Sequence, residues 1–367
     1  MNARKSARHT SSMSAALWVT AMAGILVAAA ASADEAADDR VFVPLGSAGA
    51  IVVISAEDDS LVRRIEGLPA VHGLAGTPDG AFLIAGSYDE RPTGEPPTKP
   101  AEVSEEDHLA HHTQDEETSG VPTDVVSTVS VVRIVDGEVV RRIDVPGSVH
   151  HVAVSPDGRF AAFTHPYADA VSVIDLDAAA VVATVATGPL PNFAAFAPDG
   201  KALYVSNAGN ATVSEIDTAR WYVRRNILVG ATPEHLVIDR EGQRLFVNNV
   251  DHGTVSIVAL ADGTVVETLE VGDTLHGLDL ADDGRTLYVA DLGEERVVSI
   301  DLTSGERREI ALSPSPYHLA FVRGHGKLYV SSADDPKIWV LDAGSLAVRG
   351  EIAIGGKGHQ MVQVRAP

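Results

Sequence analysis

The stretch PNFAAFAPDGKALYVSNAGNATVSEIDTARWYVRRNILVG, residues 191–230, decides the fold. It reads as four short strands, NFAAFA, ALYVSN, TVSEID and YVRRNILV, separated by turn residues. The first turn, APDG, ends at Gly200, and relatives of it recur along the chain. They are TPDG at Gly80, SPDG at Gly158, DREG at Gly242, ADDG at Gly284 and GHG at Gly326. Successive glycines lie 78, 42, 42, 42 and 42 residues apart. A repeat of this length holding four strands is the unit of a propeller blade.

Second strands begin near residues 41, 82, 159, 201, 243, 285 and 327, which makes seven blades. The first unit enters at DDRVFVPL without an inner strand of its own, and the last segment, GHQMVQVRA, is an inner strand with nothing after it. The expected architecture is therefore all-β: a seven-bladed propeller of four-stranded blades, its ring closed by the C-terminal strand pairing into the first blade. Closure of this kind removes exposed strand edges. The outer strands carry paired arginines, Arg63–Arg64, Arg141–Arg142, Arg224–Arg225 and Arg307–Arg308, read here as charges that discourage edge-to-edge association.

The 78-residue interval exceeds the repeat by 36 residues. The surplus lies at about 91–126, is rich in Pro, Glu, Thr and Ser, and is expected to be a mobile insert. Ser104 with Asp107 forms a helix-start signal, and on such a helix Glu105, His108, His111 and His112 share one face.

The ends and the charge set the compartment. Arg4, Lys5, Arg8 and His9 precede an apolar run at 15–31 and an Ala31-Ser32-Ala33 site, so residues 1–33 read as a signal peptide and 34–367 as the mature protein. An uncleaved anchor is the alternative, because the run approaches the length of a short membrane span. Without an arginine pair the general secretory route is expected, to a periplasmic or secreted location. The chain carries 28 Lys and Arg against 51 Asp and Glu, and the basic residues of 1–33 make its mature part still more acidic. Nucleic acid and, after cleavage, the membrane are excluded as partners, cations are favoured, and a monomer is expected. With no cysteine there are no disulfides, thiolate metal sites, iron–sulfur clusters or covalently attached haem.

The histidines concentrate on one face. His72, His150, His151, His235, His276, His318 and His359 all open inner strands at the channel mouth, with Asn192 taking the place in the fourth blade. His165, His252 and the insert's His108, His111 and His112 fall in loops of the same face, and His325 falls beneath. Converging imidazoles repel each other's protons and stay neutral, which suits zinc or copper. Glu234, Asp169, Asp251, Asp273, Asp334 and Asp335 lie near enough in sequence to complete or orient a shell, and Met361 follows His359 by two residues.

LYVSNAGNATVSEID, LYVADLGEERVVSID and LYVSSADDPKIWVLD resemble the YVTN family of β-propellers over nearly all of residues 40–366. That family is similar to the haem-binding propeller of periplasmic nitrite reductases. There the iron ligand opens an inner strand, which implies His72 or His150 here, with Arg91 and Lys99 the only nearby basic residues for haem carboxylates. The architecture also resembles periplasmic zinc-chaperone propellers with a His-rich segment, and the seven-bladed domain of nitrous oxide reductase with its hub of copper-binding histidines. The leading expectation is a zinc or copper carrier or chaperone. It would use His72, His150, His151, His235, His276, His318 and His359, with His108, His111 and His112 for capture, and would serve a periplasmic transport or metalloenzyme partner. A haem-binding or redox accessory protein, a cofactor-free scaffold and a lactonase-like hydrolase are the alternatives.

Overall fold

A computed structural model describes residues 39–95 and 124–365. Blade 4 shows how the repeat folds. Pro191–Phe196, Ala202–Asn207, Thr212–Asp217 and Tyr222–Leu228 form one antiparallel sheet in chain order. The Pro-Asp-Gly turns work locally. Gly200 sits at φ 71°, a left-handed conformation open to glycine, and Lys201 N–H donates to the Asp199 carboxylate. Gly158 packs on Pro78 of the turn in the preceding blade, and Gly242 on Pro198, so the turns link into a chain around the underside.

Seven sheets are present among the described residues, as the period predicts, six of four strands and one, in blade 2, with the short strand Arg91–Pro92 added. The strand Val362–Arg365 pairs antiparallel with Asp39–Leu45, Phe42 opposite Val362 and Asp39 opposite Arg365, which closes blade 1 with the C-terminus. Asp39 also accepts from Arg365 Nε at 3.1 Å and lies 3.2 Å from His325 Nε2 of blade 7. In blade 2, Phe82–Ser87 pairs with Val125–Arg133, so the insert interrupts the connection between second and third strands. The helix expected from Ser104 and its histidines lie outside the described residues, as do residues 1–33.

Second and third strands are almost wholly buried, whereas outer strands turn one residue inward and the rest to solvent. Side chains alternate between the two faces of each sheet. Phe42 packs toward blade 2, while Val41 and Val43 pack toward blade 7. One apolar cluster consequently fills each of the seven blade interfaces. Met361 lies against the cluster between blades 7 and 1, so it fills core space.

The arginine pairs do more than guard edges. Arg63 donates to the Ile134 and Val135 carbonyls of blade 2, and Arg225 to the Leu260 carbonyl of blade 5 at 2.7 Å. Arg308 reaches Gly344 in blade 7 at 2.6 Å, and Arg142 reaches back to Gly67 in blade 1 at 3.1 Å. These side chains clip neighbouring blades together.

Candidate functional site

The top of the inner strand carries a β-bulge in blades 2 to 7. In blade 5, Pro233 pairs with Asn249 and Leu236 with Val247, so Glu234 and Glu234's neighbour His235 both face the single residue Asn248. Blades 2, 4, 6 and 7 repeat this shift. In blade 3 the Thr164 peptide bonds both His150 and His151, with His150 N–H donating to Thr164 O and Thr164 N–H to His151 O. A bulge of this kind re-aims two consecutive side chains.

The histidines therefore occupy two neighbouring positions. The first position holds His72, His150, Asn192, Glu234, His276, Tyr317 and His359. The second holds Gly73, His151, Phe193, His235, Gly277, His318 and Gln360. The single-ring reading changes accordingly: Glu234 and Tyr317, like Asn192, stand where other blades have the first histidine. The tetrapeptides V-H-G-L, V-H-H-V, P-N-F-A, P-E-H-L, L-H-G-L, P-Y-H-L and G-H-Q-M carry this pattern in the sequence. Glycine at the second position brings the next blade close. A Cβ on Gly277 would lie 2.3 Å from Leu319 N, and one on Gly73 2.8 Å from the His150 carbonyl.

All seven imidazoles are buried, from His151 at 1 % exposure to His150 at 8 %. They form one continuous cluster that divides into two parts. On the side of blades 1, 2 and 3, His359 meets His72 at 4.1 Å between ring centres and His72 meets His150 at 4.6 Å. Backbone carbonyls hold this part. His72 Nδ1 donates to the His150 carbonyl at 2.8 Å, and the Asn192 carbonyl lies 3.2 Å from His150 Nδ1 and 3.0 Å from His151 Nδ1. The two Nδ1 atoms are 2.9 Å apart, so one of them accepts from the other. His151 Nε2 is buried with no hydrogen-bond partner.

On the side of blades 5, 6 and 7, His235, His276 and His318 make a nearly equilateral triangle with ring centres 4.5, 4.7 and 4.9 Å apart. One ring nitrogen from each lies within 4.8 Å of the other two. His318 Nε2 is buried without a hydrogen-bond partner. Burial pushes the His318 imidazolium well below its ordinary range, and the charges of His276, His235, His359 and His151 push it further. Burial does the same at His151, with His235 and His72 adding to it. Both therefore stay neutral at pH 7 and keep a lone pair for a cation. Phe193 packs on both His151 and His235, at 4.3 and 4.8 Å between ring centres.

Of the carboxylates singled out in the sequence, only Glu234 is brought to the triangle. It is 2 % exposed, and its Oε2 lies 3.9 Å from His276 Nε2. Asp169 accepts from Leu190 N–H, Asp251 from the Thr232 hydroxyl, Asp334 from the Ser315 hydroxyl, and Asp335 lies 3.5 Å from Lys337. Asp273 is placed beside Asp291, to which its N–H donates. These are loop formers. His165 is likewise structural, bonded through Nδ1 to the Ser148 carbonyl and through Nε2 to Ser172. His252 is exposed and accepts from Ala231 N–H. Tyr317 was missed in the sequence. Its ring stacks on His276 at 3.7 Å, and burial together with the Glu234 charge raises its phenol well above the ordinary value. Arg91, a sequence candidate for haem carboxylates, is taken up by Asp144 and the Glu95 carbonyl.

Comparison with known proteins bears on the fold. The family model described as Lactonase, 7-bladed beta-propeller matches residues 180–345. Hydrazine synthase of Kuenenia stuttgartiensis is 21 % identical, with 74 % of this chain and 76 % of that one covered at a TM-score of 0.60. A candidate 6-phosphogluconolactonase from Bacteroides uniformis is 15 % identical, with 89 % and 100 % covered at a TM-score of 0.68. The dihydro-haem d1 dehydrogenase NirN is 13 % identical over 86 % of this chain and 63 % of its own, at a TM-score of 0.60. At these identities the likeness is one of fold. No curated protein matches in sequence.

Proposed function

We propose that this protein binds one zinc or copper ion at His235, His276 and His318 and acts as a metal carrier in an exported compartment. The observation that carries the reading is the convergence of three buried imidazole nitrogens within 4.8 Å, with His318 Nε2 lacking any hydrogen-bond partner. A buried polar atom left unbonded is unfavourable unless something else fills its valence. Three neutral imidazoles are the donor set of zinc and copper sites, and with three protein ligands a fourth position stays open for exchange. When bound, the ion would be a Lewis acid, while the chain's own residues hold it and burial keeps the His318 imidazole unprotonated. Capture by His108, His111 and His112 of the insert, and delivery to a transport protein or metalloenzyme, complete the carrier reading.

The haem alternative draws on the likeness to NirN, which is a likeness of fold. The buried, mutually packed imidazoles and the engaged Arg91 favour an ion over a macrocycle. The lactonase match over 180–345 supports a second reading, hydrolysis of a lactone, which an assay on gluconolactones decides. For the metal reading, the purified mature chain is loaded with Zn²⁺ or Cu⁺, desalted and analysed for metal. One ion per chain, lost in His276→Ala and His318→Ala, supports it. Metal retained in both variants, or none in the parent protein, overturns it.

A further inference from the structure

We infer that Glu234 places a buried carboxylate beside the three histidines and so makes the site select a divalent cation over monovalent copper. The inference rests on the metal reading above and adds a selectivity that three histidines alone do not give.

The three first-position residues of blades 5, 6 and 7 touch in sequence. Glu234 Oε2 lies 3.9 Å from His276 Nε2, and the Tyr317 ring stacks on His276 with an interplanar angle of 29°. The Tyr317 ring covers one face of His276, and the Glu234 carboxylate lies beside its Nε2 edge, beyond hydrogen-bond distance. Its partners in the triangle, His235 and His318, come from the second position of the blades on either side. At that position blade 6 has Gly277, whose missing side chain lets the blade 7 bulge approach. The backbone of Glu234 is itself anchored, because its carbonyl accepts from the Ser206 hydroxyl of blade 4.

Carboxylates in the outer shell of a metal site tune it, and their removal typically lowers metal affinity 10–100-fold. The charge matters as much. His235, His276 and His318 are neutral ligands, and Glu234 is buried at 2 % exposure. A divalent ion buried among neutral ligands leaves two positive charges to be balanced, and a buried anion within a few ångströms offsets one of them. A monovalent copper ion needs that anion less. Three imidazoles without Glu234 would therefore hold Cu⁺ nearly as well as before and Zn²⁺ much less well.

The test compares the full mature chain with Glu234→Gln and Glu234→Asp. Zn²⁺ and Cu⁺ affinities are measured by competition with chromophoric chelators, and metal-free folding by thermal melting. Glu234→Gln keeps shape and removes charge, so Zn²⁺ affinity should fall roughly 10–100-fold and Cu⁺ affinity by less than about threefold. Glu234→Asp keeps the charge at a shorter reach and should restore most of the preference for Zn²⁺. Unchanged Zn²⁺ affinity in Glu234→Gln, or equal losses for both ions, overturns the inference while leaving the triangle intact. A parent protein that binds neither ion overturns the metal reading and this inference with it. If Glu234→Gln fails to melt cooperatively, the Glu234→Asp preference decides: loss of the Zn²⁺ preference with normal melting contradicts the charge argument.

Discussion

His72 Nδ1 donates a 2.8 Å hydrogen bond to the carbonyl oxygen of His150, joining blade 2 to the adjacent blade 3. In the proposed account this bond makes His72 a link between blades, while the ion sits at the triangle on the other side. His72→Ala should therefore lower stability by about 1–2 kcal/mol, the loss of a buried bond with a carbonyl left unpaired. Metal stoichiometry should be unchanged. Urea unfolding and metal analysis on the same sample check both halves. Loss of the ion at unchanged stability would reverse the assignment.

His165 gives the protein an acid-sensitive point away from the triangle. Burial lowers its folded pKa from 6.5 to about 4, against the raising effect of the Ser148 carbonyl. The unfolded chain therefore binds the proton first. Its contribution to stability is present above pH 6.5 and is lost as pH falls toward 4, by about 3 kcal/mol at the lower end. Asn207 and Asn249 fill the same place in blades 4 and 5, donating to Ser214 and Ser256. His165→Asn should flatten the stability profile between pH 7 and 4. The unfolding midpoint measured at each pH checks this, and an unaltered slope would contradict it.

Arg225 binds the buried Glu215 carboxylate through Nε at 2.5 Å and the Leu260 carbonyl of the next blade at 2.7 Å. Arg225→Met keeps the aliphatic stem and removes both bonds. Arg224 still neutralises Glu215 at 2.8 Å, so the loss should be about 1–3 kcal/mol and not a collapse. Equilibrium denaturation reads the value, and a midpoint equal to that of the parent would show that the clip carries no stability.

Removing residues 357–367 deletes the strand that pairs with Asp39–Leu45 and takes Val364 from the cluster between blades 1 and 2. The inner edge of blade 1 and the sides of two blade interfaces would open to water. The melting temperature should fall by on the order of 10 °C or more. An unchanged melting curve would refute the ring closure.

The fold was legible because the repeat is written in backbone chemistry. Turns ending at Gly80, Gly158, Gly200, Gly242, Gly284 and Gly326 require a left-handed residue, and only a few residue types supply one. The site was legible in part. The seven histidines can be listed from the sequence, but their division between two positions depends on a bulge that sets two consecutive residues, such as Glu234–His235 or Tyr317–His318, opposite one. Burial separated Glu234 from Asp169, Asp251 and Asp334, and nothing in the residue types distinguishes a buried carboxylate from a loop former. The arginine clips needed the ring itself, because Arg225 and Leu260 are 35 residues apart and meet only when blades 4 and 5 pack.

The central claim is an ion among His235, His276 and His318. X-ray absorption at the zinc edge, recorded on the loaded protein and on His318→Ala, addresses it most directly. The account predicts three imidazole nitrogens at about 2.0–2.1 Å in the parent, and a spectrum with fewer imidazoles in the variant. An oxygen-only shell in the parent, or an identical imidazole shell in the variant, would contradict it.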